Sequence, residues 1–171
     1  SWIRQKKLAV ADRSGNLCST KFLDTVCRQL NVNGAMTQPE LFTASQKAVP
    51  GFPEGRSQTL LKFLVLHRGA ILLPGAPLYC IGPDAVKECK SLLYLEGAAT
   101  QQEFSTLCAH FPLLSSLSIS KERLASAILK SMSDRGEVKK VPLSETGETL
   151  YVVKNPPART KMTRMEISLD D

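Results

Sequence analysis

An eight-residue segment occurs twice in this chain, and its spacing restricts the possible folds more than any other feature. Residues 34–41 read GAMTQPEL and residues 97–104 read GAATQQEF, with five identical positions at an offset of 63 residues. Solenoid repeats have periods of roughly 20–50 residues, so a longer period favours a duplicated small domain. With 171 residues, of which 43% are hydrophobic, the chain can bury two small cores.

Both copies of the segment predict the start of a helix. Thr37 with Glu40, and Thr100 with Glu103, have the spacing of a capping box, in which each side chain accepts a hydrogen bond from the other residue's backbone N–H. Apolar residues with helical spacing precede the first box and follow the second: Leu23, Val26, Cys27 and Leu30, then Phe104, Leu107, Cys108 and Phe111. We expect each copy to run helix, short strand, helix, helix, hairpin.

The end of the second copy is the clearest part of this order. Ser120 is a predicted N-cap and Gly136 a predicted helix end, while residues 138–141 and 149–153 are β-rich runs joined by a polar loop. The helix between them has one apolar stripe: Leu124, Ile128 and Met132. In the first copy, a helix from about Ser57 to His67 precedes a shorter predicted hairpin. The helix after Pro83-Asp84, which we expect to cap it, opens the second copy.

This pattern over residues 19–153 resembles the winged-helix superfamily in tandem. The resemblance implies an α+β, helix-dominated chain with two domains, each of three helices plus a small antiparallel β-hairpin. We assign residues 1–18 to a basic N-terminal arm, 19–82 and 83–154 to the two domains, and 155–171 to a flexible C-terminal tail. A solvated lead-in or an edge strand is the alternative for the arm, since residues 7–11 are strand-like. Tandem winged helices occur in transcription factors, RNA polymerase subunits, RNA-binding proteins and membrane-remodelling scaffolds.

Charge and cysteine usage indicate an intracellular protein, nuclear or cytoplasmic, with an acidic partner. The net charge is +6, and residues 1–30 alone carry +4, which favours nucleic acid. No run of 18 apolar residues or signal peptide is present, and the five cysteines form no Cys-x-x-Cys pair. We therefore expect reduced thiols and no membrane span. Because the chain begins with Ser1 rather than Met, we expect a fragment of a longer protein.

The first functional hypothesis is nonspecific binding of DNA or RNA through the phosphate backbone. In winged-helix proteins that bind DNA, the third helix enters the major groove and the wing touches phosphates. The candidate basic contacts are Arg4, Lys6, Lys7, Arg13, Lys21, Arg28, Lys121, Arg123, Lys130, Lys139 and Lys140. The wing of the second copy argues against this hypothesis, because Glu145 and Glu148 would repel a phosphate at close range.

The second hypothesis is a protein-protein interaction scaffold in a multisubunit assembly, of the transcription or membrane-remodelling type. The third helix of the first copy is apolar on nearly every side, so we expect a partner or the other copy to cover it, with Lys62, Phe63 and Leu66 at the interface. This hypothesis predicts an exposed apolar patch. Residues 167–171 alternate apolar and polar side chains before two acids, a pattern that can add as a strand to a partner's sheet.

The sequence favours a non-enzymatic protein without a cofactor, metal or small-molecule substrate. It has two histidines, His67 and His110, and contains no phosphate-binding Gly loop, His-Glu-x-x-His helix or nucleophile elbow. Cys27, Cys89 and Cys108 fall on the apolar stripes of predicted helices, where cysteine acts as a small hydrophobe. Phenylalanines that are able to stack on bases are instead expected in the cores.

Overall fold

The computed structural model describes residues 8–110 and 119–154, and these residues form an α+β structure dominated by helices. Six α-helices and three small antiparallel sheets occur in the described residues. The chain divides into two compact units, Ser1–Val86 (unit 1) and Lys87–Asp171 (unit 2). The expected boundary after residue 82 lies four residues before this division. The expected tail, Phe111 and the first seven residues lie outside the described residues.

Unit 1 contains a β-hairpin followed by the expected order of helices and strands. Its elements are β1 (Ala9–Ala11), β2 (Leu17–Ser19), α1 (Thr20–Asn33), β3 (Ala35–Thr37), α2 (Gln38–Ala48), a 3₁₀ turn (Glu54–Arg56), α3 (Ser57–Arg68), β4 (Ile71–Leu73) and β5 (Tyr79–Ile81). The central strand of its three-stranded sheet is the last in sequence, because the order is β3-β5-β4.

Unit 2 repeats this element and strand order with a longer hairpin. Its elements are α4 (Pro83–Glu96), inside which the division between units falls, β6 (Ala98–Thr100), α5 (Gln101–Ala109), α6 (Lys121–Asp134), β7 (Val138–Pro142) and β8 (Thr149–Val153). The strand order is β6-β8-β7, so the last strand is again central. Each hairpin strand has five residues in unit 2 and three in unit 1.

Both predicted capping boxes are present. In α2 the Glu40 N–H donates to Thr37 Oγ1 at 3.4 Å and the Thr37 N–H donates to Glu40 Oε1 at 3.2 Å. In α5 the Glu103 N–H donates to Thr100 Oγ1 at 3.2 Å and the Thr100 N–H donates to Glu103 Oε1 at 2.9 Å. These bonds satisfy backbone donors that the first turn of a helix cannot pair internally. The repeated sequence segment therefore forms the same local structure twice.

The predicted start and end of α6 are also confirmed. Ser120 Oγ accepts the Arg123 N–H at 3.4 Å. At the other end Gly136 has a φ of 71°, a left-handed conformation that glycine adopts without a side-chain clash. The Glu137 N–H then donates to the Met132 carbonyl at 2.8 Å, so the helix ends at Asp134 and β7 begins at Val138.

The start of α4 differs from the prediction, because its cap comes from another helix. The Asp84 N–H donates to the side-chain Oδ1 of Asn31, at the end of α1, at 3.1 Å. Pro83 and Asp84 are themselves helical. The residue before them, Gly82, donates its N–H to the Gly34 carbonyl at 2.8 Å. Asn31 therefore satisfies a backbone donor that sequence reasoning had assigned to a local residue.

The described part of the expected N-terminal arm is a folded hairpin. β1 and β2 pair in antiparallel register, with Val10 opposite Cys18, and both residues pack against the core of unit 1. Asp12 closes the turn by accepting hydrogen bonds from Asn16 Nδ2 and from the backbone N–H groups of Asn16 and Ser14, each at 2.9 Å. These bonds, the Asn16 side chain first, lower the pKa of Asp12.

Each unit buries the apolar faces of its helices against its own sheet. In unit 1, Leu23, Leu30, Leu41 and Leu64 are at most 1% exposed, and in unit 2, Leu93, Phe104, Leu124, Ile128 and Met132 are fully buried. Burial of this kind contributes about 25 cal/mol per Å² of apolar surface. None of the helices in the described residues is long and apolar enough to cross a membrane.

Gly82→Ala tests the close packing where α1, β5 and α4 meet. A Cβ atom at this position would lie 2.9 Å from Asn31 Oδ1, 3.2 Å from the Leu30 carbonyl oxygen and 3.3 Å from the Gly34 carbonyl oxygen. Asn31 would have to move and lose its bond to the Asp84 N–H, so we expect the free energy of unfolding to fall by about 1–3 kcal/mol. Urea unfolding measures this change.

Gly55→Ala is the matched control, because no atom lies within 4 Å of the Cβ position there. We expect its free energy of unfolding to change by less than about 1 kcal/mol, with a slight increase favoured by the less flexible unfolded chain. Equal stability of the two variants would contradict the packing described around Gly82.

Candidate interaction surfaces

A cleft of about 500 Å³ lies in unit 2 between the start of α5, the start of α6 and the hairpin. Gln101 and Gln102 line it from α5, Glu122 from α6, Glu148 from the hairpin loop and Tyr151 from β8. The α5 capping box fixes the glutamine side of this cleft, and the Ser120 cap fixes the α6 side. The cleft therefore lies between α5, α6 and the β7–β8 hairpin.

The electrostatic character of this cleft is acidic. Glu122 and Glu148 are exposed, and no basic residue is among the described residues that line the cleft. Hydrogen bonds from its own backbone N–H and from the Ser120 hydroxyl, the latter at 2.9 Å, lower the pKa of Glu122. Glu122 is thus a fixed negative charge at neutral pH, and the cleft attracts cations and repels phosphates.

The predicted basic contacts of α6 do not line this cleft. Lys121 and Arg123 flank Glu122 in the first turn, and Lys130 lies two turns further along the helix. All three side chains are exposed. A phosphate that approached the first turn of α6 would be attracted by Lys121 and Arg123 but repelled by the Glu122 carboxylate between them, so its net attraction to this turn is weaker.

The two lysines of β7 lie on opposite faces of the sheet. Lys140 is paired with Tyr151, and Lys139 is paired with Val152. Because paired residues share a face and neighbours alternate, Lys140 lies on the face of Tyr151 and Lys139 on the other. β7 is also an edge strand, where lysines commonly prevent pairing with other chains. These two residues therefore do not form one basic patch.

The basic residues predicted in unit 1 are exposed and spread over two elements. Arg13 lies in the β1–β2 turn, while Lys21 and Arg28 lie on α1. Lys21 and Arg28 are seven residues apart, two helical turns, so they project from the same side of α1. None of the three forms an ion pair with another described residue. Arg4, Lys6 and Lys7 lie outside the described residues.

The structure divides the three residues predicted at a protein interface. Phe63 is 3% exposed and belongs to the core of unit 1, so α3 is covered by its own unit and not by a partner at that position. Lys62 and Leu66 are exposed one turn apart on α3. From the sequence we expected the other copy or a partner to cover Phe63, whereas the N-terminal hairpin of the same unit packs on the core to which Phe63 belongs.

A groove of about 670 Å³ lies in unit 1 between β2, the start of α1, the end of α2 and the start of α3. Leu17 and Val49 lie at its rim with 52% and 43% of their surface exposed. Phe22 and Phe52 form an aromatic pair in its wall, with ring centroids 5.4 Å apart. Unit 1 therefore exposes apolar surface at this groove, which the sequence analysis did not predict.

The N-terminal hairpin is held to α3 by a hydrogen bond from a histidine. His67 Nε2 lies 2.7 Å from the Ala11 carbonyl oxygen, so this nitrogen carries the proton. The imidazole also stacks on Phe63, with centroids 6.0 Å apart and planes 24° apart. These contacts explain why His67 lies at the end of an apolar helix, and they fix one wall of the groove.

The cysteines are packed side chains in the described residues. Burial raises the pKa of Cys80 to about 12. A hydrogen bond with Cys108, together with burial, raises the pKa of Cys89, which is fully buried. No group of three His, Cys, Asp or Glu side chains that would hold a metal ion is found in residues 8–110 and 119–154. At neutral pH the thiols of Cys80 and Cys89 are therefore protonated and weak nucleophiles.

Comparisons with models of known protein families and with curated proteins found no match. Functional inference therefore depends on the two surfaces described above.

His67→Phe tests the attachment of the N-terminal hairpin to α3. The ring and its stacking on Phe63 are kept, but the donor to the Ala11 carbonyl is lost. We expect the amide of Asp12, which donates to the Asn16 carbonyl at 3.0 Å, to exchange with deuterium about 2- to 10-fold faster, the effect of one hydrogen bond. His110→Phe is the matched control, because His110 is exposed in unit 2. Unchanged exchange in both variants would contradict this attachment.

Proposed function

We propose that this chain is a non-enzymatic tandem winged-helix module that binds other protein subunits within a multisubunit assembly. The repeated element order and the repeated sheet order, β3-β5-β4 and β6-β8-β7, support the winged-helix assignment. One observation above all favours protein binding over nucleic-acid binding at unit 2. Glu122 and Glu148 line the same cleft between the third helix and the wing.

These two carboxylates line the cleft between the third helix and the wing, the surface with which a DNA-binding winged helix contacts DNA. A third helix in the major groove and a wing along the backbone bring side chains within a few Å of phosphates. At about 4 Å, each carboxylate–phosphate pair is repulsive by about 1 kcal/mol even in bulk water. The same carboxylates, with the amides of Gln101 and Gln102, suit Lys and Arg side chains of a protein partner.

A second candidate function is nonspecific nucleic-acid binding by unit 1. Arg13, Lys21 and Arg28 are exposed and form no ion pair with another described residue. Phosphate contacts of this kind give affinity without base readout. Unit 1 would then hold nucleic acid while unit 2 binds protein, as in a subunit of a nucleic-acid-handling machine.

Site-specific photo-cross-linking in cells tests both candidates with one set of variants. Benzoylphenylalanine is introduced at Gln102 in the cleft, at Thr25 between Lys21 and Arg28, and at the exposed control position Lys47 on α2. We expect Gln102 to give discrete adducts that resist nuclease and are destroyed by protease. Adducts at Thr25 that are shortened by nuclease would support the second candidate.

The same cross-linking experiment has a clear contradictory outcome. Nuclease-sensitive adducts at Gln102 would mean that the cleft contacts nucleic acid despite its two carboxylates. Adducts at Lys47 as abundant as those at Gln102 would mean that capture at the cleft is nonspecific. Glu122→Gln together with Glu148→Gln should reduce protein capture at Gln102, because these substitutions remove the charge and keep the side-chain size.

A further inference from the structure

The groove of unit 1 has three features that together define a ligand chemistry. Its rim carries Leu17 and Val49, which leave large apolar surfaces in water. Its wall contains the Phe22–Phe52 pair, and aromatic walls bind apolar side chains well. Its third feature is a cation, Arg56, whose guanidinium forms no ion pair with another described residue.

Arg56 is in the right place to act on a ligand in this groove. It ends the 3₁₀ turn directly before α3 and lines the groove. Thr59, Leu60 and Phe63 follow it at i+3, i+4 and i+7, so all four residues lie on one side of the helix start. Leu60 and Phe63 are buried beneath the groove. A ligand that lies in the groove therefore comes close to the exposed guanidinium of Arg56, which favours a carboxylate.

The backbone of β2 supplies a fourth feature, an open strand edge along the groove. The Thr20 N–H donates to the Leu8 carbonyl and the Asp12 N–H donates to the Asn16 carbonyl, both at 3.0 Å. Hydrogen-bonded pairs alternate in an antiparallel ladder, so the N–H and C=O of Leu17 point away from β1. No strand pairs with β2 on that side in the described residues.

From these features we propose that the groove binds an extended, acidic peptide of a partner protein. The peptide adds as a third strand beside β2, places apolar side chains against Phe22, Phe52 and Val49, and pairs a carboxylate with Arg56. Strand addition gives affinity through main-chain hydrogen bonds, and the groove gives specificity through alternate side chains. This inference rests on the proposed protein-binding role but uses a different unit from the acidic cleft.

Fluorescence anisotropy of the full chain with a synthetic peptide tests this inference. The probe is a fluorescein-labelled hexapeptide of sequence LSFSDD, which has alternate apolar side chains and two carboxylates. We expect saturable binding that Arg56→Glu weakens by about fivefold or more, because a charge attraction becomes a repulsion. Val49→Ser should weaken binding by a similar factor through lost apolar burial.

Charge-swapped and backbone-modified probes separate this site from nonspecific adsorption. The peptide LSFSKK should bind Arg56→Glu better than it binds the unaltered chain. A version of LSFSDD with N-methylated backbone amides should bind about fivefold more weakly, since strand addition needs its N–H groups. Lys47→Glu and Val32→Ser are matched controls, because both residues are exposed and neither lines the groove.

Several results would overturn the inference. The first is that LSFSDD shows no saturable binding up to about 1 mM. The second is that LSFSDD binds the unaltered chain and Arg56→Glu with equal affinity. The third is that the normal and the N-methylated LSFSDD bind the unaltered chain with equal affinity. Circular dichroism of each variant establishes that the fold is kept. If LSFSDD does not bind but protein adducts form at Gln102, the proposed role of this groove alone is rejected. If LSFSDD binds but no protein adducts form at Gln102, the proposed role of the cleft of unit 2 is rejected.

Discussion

The pairing of β5 with β3 in unit 1, and of β8 with β6 in unit 2, closes the fold on which both surfaces depend. In unit 1 the Gly82 N–H donates to the Gly34 carbonyl at 2.8 Å, and in unit 2 the Val153 N–H donates to the Gly97 carbonyl at 2.9 Å. Each glycine follows a helix and has a positive φ, 83° at Gly34 and 82° at Gly97. The chain can therefore turn from the helix directly into β3 or β6. The second hairpin strand, β5 or β8, pairs with that strand and becomes the central strand of the sheet. The sheet then holds three helices over one core.

The two units present different surfaces because each adds different elements to the same arrangement of helices and strands. Unit 2 extends the hairpin to five residues per strand, and the loop beyond it brings Glu148 to the cleft that Glu122 also lines. Unit 1 has a short hairpin there, but β2 and the starts of α1 and α3 line an apolar groove, and Arg56 lies at its edge. One fold thus presents an acidic polar surface in one copy and an apolar surface with a cation in the other.

Local signals predicted most of the secondary structure, since capping boxes and apolar periodicity act within one element. Thr37, Thr100 and Ser120 cap helices as expected. The features that were not predicted depend on contacts between residues far apart in sequence. Asn31 caps α4 from 53 positions away, and His67 holds the N-terminal hairpin to α3 from 56 positions away. For the sites, the sequence showed that the loop of the last hairpin is acidic, but only the fold places Glu148 beside the same cleft as Glu122. The sequence shows which residues are basic. Only the structure shows that the exposed basic side chains do not form a single patch.

We propose that the acidic cleft of unit 2 binds protein and does not hold nucleic acid. The most direct measurement is an NMR titration of the ¹⁵N-labelled chain with a short duplex DNA and a structured RNA at near-physiological salt. We predict that the amides of Gln101, Gln102, Glu122 and Glu148 keep their chemical shifts, with any changes confined to unit 1 around Lys21 and Arg28. Saturable shifts of the cleft amides that disappear at high salt would contradict the account, because they would place phosphates between the two carboxylates.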